Sequence, residues 1–289
     1  MKRIDALHDL GQSLWYDNIQ RSLLDNGQLK EMIDNGEIKG VTSNPSIFHN
    51  AIAKTNDYDS ALKPLAWAGF SAEEIFWELA VKDIQDAADL FAPLYKSSNR
   101  KDGYVSLEVS PFLARDTKTT ASEAKRLWKK VNRPNLMIKI PATKEGLPAI
   151  RQTIAEGINV NVTLIFSLKR YEEVIDAFLS GLEDRLQKGG SIDSIASVAS
   201  FFVSRVDTKV DARLNELAEK DPRNKSIKAL FGKTAIANAK LAYEVYKKEF
   251  SSDRFKKLKE KGAQNQRALW ASTSTKNPAY RDVMYVDDL

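Results

Sequence analysis

Short apolar segments alternate with long amphipathic ones along nearly the whole chain, and this alternation confines the fold to a parallel sheet with helical crossovers. Strands are predicted at Ser13–Asp17, Gly40–Asn44, Tyr104–Val109, Leu136–Ile140, Asn159–Phe166, Ile195–Phe202 and Leu269–Thr273. Helical patterns lie between most of them. Ser71 with Glu74 three residues on reads as a capping box, followed by apolar residues at helical spacing from Ile75 to Phe91. Thr120 and Glu123 repeat that signature before Ala124–Val131. Tyr171, Val174, Ile175, Phe178 and Leu182 line another helix, closed near Gly189–Gly190, and Ile227–Lys261 reads as one or two long helices with a basic end. No linker, repeat or low-complexity tract divides the 289 residues, so one domain is expected. A doubly wound sheet and a (β/α) barrel both satisfy the alternation.

Polar residues on the strands decide between them. Strands covered on both faces normally read as continuous Val, Ile and Leu. Here side chains alternate with period two. Asn159, Asn161 and Thr163 share one face of their strand. Ser106 goes with Glu108, Thr42 with Asn44, and Asp17 with Trp15; Lys139 is flanked by two isoleucines, Ser200 sits with Val198 and Phe202, and Ser272 with Trp270. Each polar group falls near the C-terminal end of its strand. A barrel gives such groups a common meeting place at its C-terminal rim, so the expected fold is a (β/α)8 TIM-type barrel.

Composition removes several function classes. The absence of cysteine excludes disulfides and thiolate metal sites, and two distant histidines, His8 and His49, disfavour a histidine metal centre. A net charge of +5, from 44 basic and 39 acidic residues, is too dispersed for nucleic acid but suits small anions. No run approaches a membrane span, and the stretch from Met1 to Gly11 lacks the apolar core of a signal peptide, so the cytoplasm is the expected location. Gly232-Lys233-Thr234 looks like the end of a phosphate loop, but Ile227 occupies the place of the first glycine. Lys256–Lys261 reads as a solvated helix end and His49 as a loop or surface residue.

A lysine enclosed by apolar strands loses hydration, which favours its neutral amine, a nucleophile towards ketones and aldehydes. The resulting protonated Schiff base is an electron sink beside which a C–C bond breaks, while carboxylates such as Asp17 and Glu108 move protons. Asn44 and Asn161 can bind substrate hydroxyls. Lys139 and Glu108 taken alone are equally compatible with a structural buried ion pair. The convergence of an aspartate, a glutamate, a lysine and several amides or hydroxyls is what points to a site.

Five segments carry a resemblance: Gly40-Val-Thr-Ser-Asn-Pro-Ser46, Val105-Ser-Leu-Glu-Val109, Met137-Ile-Lys-Ile-Pro-Ala-Thr143, Gly157-Ile-Asn-Val-Asn-Val-Thr-Leu-Ile-Phe-Ser167 and Ala199-Ser-Phe-Phe-Val-Ser-Arg205. The chain resembles the transaldolase family of class I Schiff-base enzymes. Its closing Trp270-Ala-Ser-Thr-Ser-Thr-Lys-Asn-Pro278 is similar to the longer bacterial branch. The resemblance implies reversible transfer of dihydroxyacetone between sugar phosphates in the pentose phosphate pathway, without metal or other cofactor. It implies that Lys139 forms the Schiff base and that Asp17 is the acid/base of C–C cleavage. Glu108 and Thr163 would hold a proton-shuttling water. Asn44, Asn161 and Ser200 would bind the dihydroxyacetone unit, Phe202 would shield it, and Arg205 would bind phosphate with help from Ser272.

Two departures accompany the resemblance. Where the better-known branch has a second phosphate-binding arginine, this chain has Ser274, and Lys276 is the nearest cation. The segment Tyr285–Leu289 is read as the seventh helix, so an eighth strand and helix are read as missing beyond Leu289. The alternatives are a fructose 6-phosphate aldolase-like lyase, disfavoured by Glu108 where those enzymes carry tyrosine, and a non-catalytic, incomplete barrel. Sugar phosphates are the expected partners, with no nucleic acid and no membrane, and the chain is expected to be a monomer or homodimer.

Overall fold

A computed structural model describes residues 3–289. The chain divides into two compact units, residues 1–139 and 140–289. In the first, β1 (Trp15–Tyr16), β2 (Gly40–Thr42), β3 (Tyr104–Glu108) and the start of β4 (Leu136–Pro141) run parallel in chain order. In the second, β5 (Val160–Ile165), β6 (Ser197–Phe202) and β7 (Arg267–Ala271) do the same. Just beyond β4, the Ala142 amide donates to the Thr163 carbonyl of β5 at 2.7 Å. The fold is α/β with parallel strands and helical crossovers, of the type built into TIM barrels. All seven predicted strands are present, most of them a residue or two shorter than expected. The idea of a missing eighth strand is not borne out: it rested on where the chain stops, which does not measure a strand count.

Strand burial explains why these segments pair. Every residue of β4 and of β6 is buried, so their Leu, Ile, Val and Phe side chains are removed from water on both faces. Two helices carry the largest share of the cover. Ala72–Ser97 in the first unit starts at the predicted capping box, with Ser71 accepting from the Glu74 amide and Glu74 accepting in return from the Ser71 amide. Leu168–Gln187 in the second buries Tyr171, Val174, Ile175, Phe178 and Leu182, as expected. Gly40 is a packing requirement: a Cβ there would lie 2.6 Å from the Trp15 ring, so a side chain on β2 would displace β1.

Two helix expectations need correction. The helix containing Thr120 begins at Thr117, capped by Asp116, whose carboxylate accepts from the Thr119 amide at 3.0 Å. Thr120 lies one turn inside, and its hydroxyl donates to the Leu113 carbonyl. Asp116 therefore outcompetes the capping signature, because an aspartate preceding the first turn satisfies the same amides. The stretch 227–261 forms Thr234–Glu249 and Asp253–Lys259, preceded by the short Lys225–Lys228. Ser252 caps the third of these helices by accepting from the Phe255 amide, so the apolar periodicity continues across a break. Among the described residues no helix is long and apolar enough to cross a membrane.

Candidate active site

In the first unit, β3 and β4 pair with Glu108 opposite Lys139. Partners opposite one another on adjacent strands point to the same side of the sheet, so the two side chains meet. Lys139 Nζ lies 3.2 Å from Glu108 Oε2 and donates to the Ser43 carbonyl at 3.0 Å. Lys139 is only 7% exposed, and its amine is held by a carboxylate and a backbone oxygen. β2 joins the same face through its pairing of Thr42 with Ser106. The Thr42 hydroxyl donates to Asp17 Oδ1 at 2.6 Å. Asp17 follows β1 instead of ending it, and is exposed.

Asn44 caps the helix Pro45–Lys54: its side-chain oxygen accepts from the Ile47 amide at 3.0 Å. The capping role fixes the side chain with its amide nitrogen left to donate. A cavity of about 280 Å³ adjoins these groups, its lining including the polar Ser43, Asn44 and Glu108 and the aromatic Phe48, Phe76 and Trp77. His49 lies on the exposed surface of the same helix.

The second unit holds a different set. Asn161 and Thr163 are buried on β5, and Ser200 on β6 donates to Asn161 Oδ1 at 2.8 Å. β5 is irregular between Val162 and Ile165, where Leu164 adopts φ +60° and is 38% exposed. A leucine in the left-handed region is strained, and bulges of this kind re-aim neighbouring side chains beside functional sites. Phe202 lies on the Ser200 face, with the Phe166 ring 5.1 Å away and the Arg205 guanidinium 4.8 Å over its ring. Arg205 is exposed at the start of the helix Ser204–Lys220. Ser272, at φ +57°, places its hydroxyl 2.9 Å from that of Ser204 and accepts at its carbonyl from the Ser204 amide. Lys276 is exposed and donates to Ser274 at 2.5 Å.

Trp270 does not share a face with these groups. Its register partner is Phe201, the two rings meet edge to face at 6.1 Å, and Phe201 in turn packs on Tyr171 of a covering helix. Trp270 therefore belongs to the helix-facing layer with Val203, Ala235 and Tyr285. The alternation read from Ser272 back to Trp270 fails because Ser272 has left the strand.

Sequence reasoning missed Ser43, Phe166 and Ser204. Ser43 sits between Thr42 and Asn44, and side-chain alternation turns it away from them: its hydroxyl donates to the Ser106 carbonyl. Its contribution to Lys139 is a backbone oxygen, which no side-chain pattern marks.

The transaldolase/fructose-6-phosphate aldolase family model matches residues 14–289. A transaldolase of Trichodesmium erythraeum (strain IMS101) is 52% identical over 286 residues, covering 98% of this chain and 75% of the relative. One of Thermobifida fusca (strain YX) is also 52% identical, covering 99% and 76%. A protein named transaldolase 2 from Nostoc sp. (strain PCC 7120) is 48% identical, covering 98% and 75%. A match of this extent, over a chain whose buried lysine is paired with a glutamate on parallel strands, places it in the transaldolase/fructose-6-phosphate aldolase family.

Proposed function

We propose that the chain is a transaldolase. It reversibly moves a dihydroxyacetone unit from sedoheptulose 7-phosphate or fructose 6-phosphate to glyceraldehyde 3-phosphate or erythrose 4-phosphate. The observation that carries the reading is Lys139, buried on β4 with its Nζ between the Glu108 carboxylate and the Ser43 carbonyl. Glu108 takes a proton from the amine, which then attacks the ketose C2; the C2 oxygen leaves as water, and Glu108 with Thr163 passes the protons. The protonated imine withdraws electrons, Asp17 takes the proton of the C4 hydroxyl, and the C3–C4 bond breaks to release the aldose phosphate. The enamine left on Lys139 adds to the acceptor aldehyde, and hydrolysis returns the amine.

The remaining residues bind rather than react. Asn44, Asn161 and Ser200 hold hydroxyls of the retained unit, and Phe202 keeps water from it. Arg205, Ser272 and Lys276 take the phosphate. The proposal includes a single transaldolase-like barrel domain over 1–289, a cytoplasmic location and a monomeric or homodimeric state. Incubation with fructose 6-phosphate and borohydride tests it: reduction traps an adduct, and peptide mass analysis locates it on Lys139. An unchanged intact mass overturns the reading. Turnover that requires erythrose 4-phosphate distinguishes transfer from simple aldol cleavage.

A further inference from the structure

Asp17 hangs from a strand of only two residues, and no ladder hydrogen bonds hold the chain after Tyr16. On one side its carboxylate is tied to Thr42. Downstream the segment is clamped to a different part of the first unit. Gln20 donates to Asp57 at 2.9 Å, and the Arg21 amide donates to the Tyr58 hydroxyl at 3.1 Å. The Arg21 guanidinium donates to Asp83 Oδ1 through Nε at 2.9 Å and Nη2 at 2.5 Å, while lying 4.7 Å over the Tyr58 ring. Tyr58 donates its own proton to Asp83 Oδ2 at 2.7 Å. One oxygen of a fully buried carboxylate is thus committed to Arg21, and the other to Tyr58, whose hydroxyl in turn holds the Arg21 amide.

We infer that Asp83, acting through Arg21 and Tyr58, is the positioning residue that aims the Asp17 carboxylate. Asp83 sits mid-way along the helix Ala72–Ser97, the longest in the chain, so the anchor is rigid. Only Asn18, Ile19 and Gln20 separate Asp17 from the clamped residue, and Ile19 is itself buried. A linker that short passes a shift of the anchor on to the carboxylate almost undiminished. A buried ion pair is a poor way to gain stability compared with apolar packing of the same volume, whereas it fixes one geometry well. This inference rests on the assignment of Asp17 as the acid/base of cleavage.

The test uses the full chain with Tyr58→Phe, which removes one hydroxyl and keeps the ring, and with Asp83→Asn. Imine formation on Lys139 precedes the step assigned to Asp17, so the borohydride-trapped fraction with fructose 6-phosphate stays at its unaltered level. The kcat of transfer falls by about tenfold to a hundredfold with KM within about twofold, the size expected for a misplacement near 1 Å. In an Asp17→Asn background, Tyr58→Phe adds almost nothing, because the group it aims is gone. A kcat within about twofold of the unaltered chain overturns the inference, as does a trapped fraction that falls in step with kcat, or full additivity with Asp17→Asn. If Asp83→Asn fails to fold, Tyr58→Phe decides alone. No adduct in the unaltered chain overturns the functional reading and this inference together; an adduct there with normal turnover by Tyr58→Phe overturns only this inference.

Discussion

The two units hold their candidate residues in opposite ways. In the first, each ionisable candidate is tied by a short bond: Lys139 to Glu108, Asp17 to Thr42, with Arg21–Asp83 behind them. In the second, the buried candidates are the neutral Asn161, Thr163 and Ser200, while the cations Arg205 and Lys276 are exposed. Even the buried acids differ. Asp83 has a guanidinium; among the described residues, Asp207 and Asp211 have only tyrosine hydroxyls and backbone amides as hydrogen-bond partners. Bond-making chemistry requires a charge fixed in one place, and recognition of a phosphate dianion tolerates a cation that can move. The division predicts that loss of an ionisable candidate of the first unit removes turnover, whereas loss of a cation or a buried acid of the second weakens binding or stability.

The largest effect belongs to Lys139→Met. With the proposed nucleophile gone, turnover falls by about 10⁴-fold or more and no borohydride adduct forms, while the chain still melts cooperatively. Arginine at the same position retains the charge and still fails. Turnover retained by either variant would erase the contrast between the units.

Arg205→Ala comes next. Loss of a forked donor to phosphate raises KM and lowers kcat/KM by about tenfold to a hundredfold, with the adduct still trapped at saturating substrate. Arg205→Lys recovers part of this, since a point charge attracts phosphate without matching its geometry. A pure kcat effect would move Arg205 into the reacting group and blur the division.

Asp207 sharpens the comparison through pH. Burial, with Asp211 adding to it, pushes its carboxyl above the usual carboxylate range, while the Ala235 amide at 2.8 Å and the Tyr285 hydroxyl at 2.8 Å oppose the shift. A folded state that holds its proton more tightly than the unfolded chain is favoured at low pH. That advantage is lost as pH rises from the ordinary aspartate value through the raised one. Asp207→Ala leaves both donors without an acceptor and costs about 1–3 kcal/mol in urea melts. Asp207→Asn keeps an acceptor, so its stability relative to the unaltered chain improves as pH rises from the ordinary aspartate value through the raised one. A difference that stays flat over this range would deny the burial effect.

The parallel fold was legible because seven apolar strands and their covering helices obey simple periods, and Lys139 and Glu108 were legible because charges interrupt those periods. What escaped the sequence depends on backbone geometry. Ser43 contributes a carbonyl to Lys139, Leu164 bends β5 through a left-handed φ, and Ser272 leaves β7 the same way. Trp270 was misassigned for that last reason, since a period of two holds only while the chain remains a strand. Asp83 is invisible for a different one: an aspartate among the apolar residues of a long helix reads as surface until Arg21 and Tyr58 are seen to reach it.

The smallest expected effect is that of Lys276→Ala. Its ammonium is exposed and donates to Ser274. An exposed point charge is screened by salt and contributes little by contact, so KM rises only about two- to threefold at low ionic strength and less at about 0.15 M. Ser274→Arg is the converse test. If the second unit recognises phosphate by charge alone, an added arginine lowers KM and makes Lys276 redundant, so that Lys276→Ala in that background changes nothing. If KM rises instead, the seat demands a shape that serine already fits, and the looseness of the second unit ends at the segment following β7.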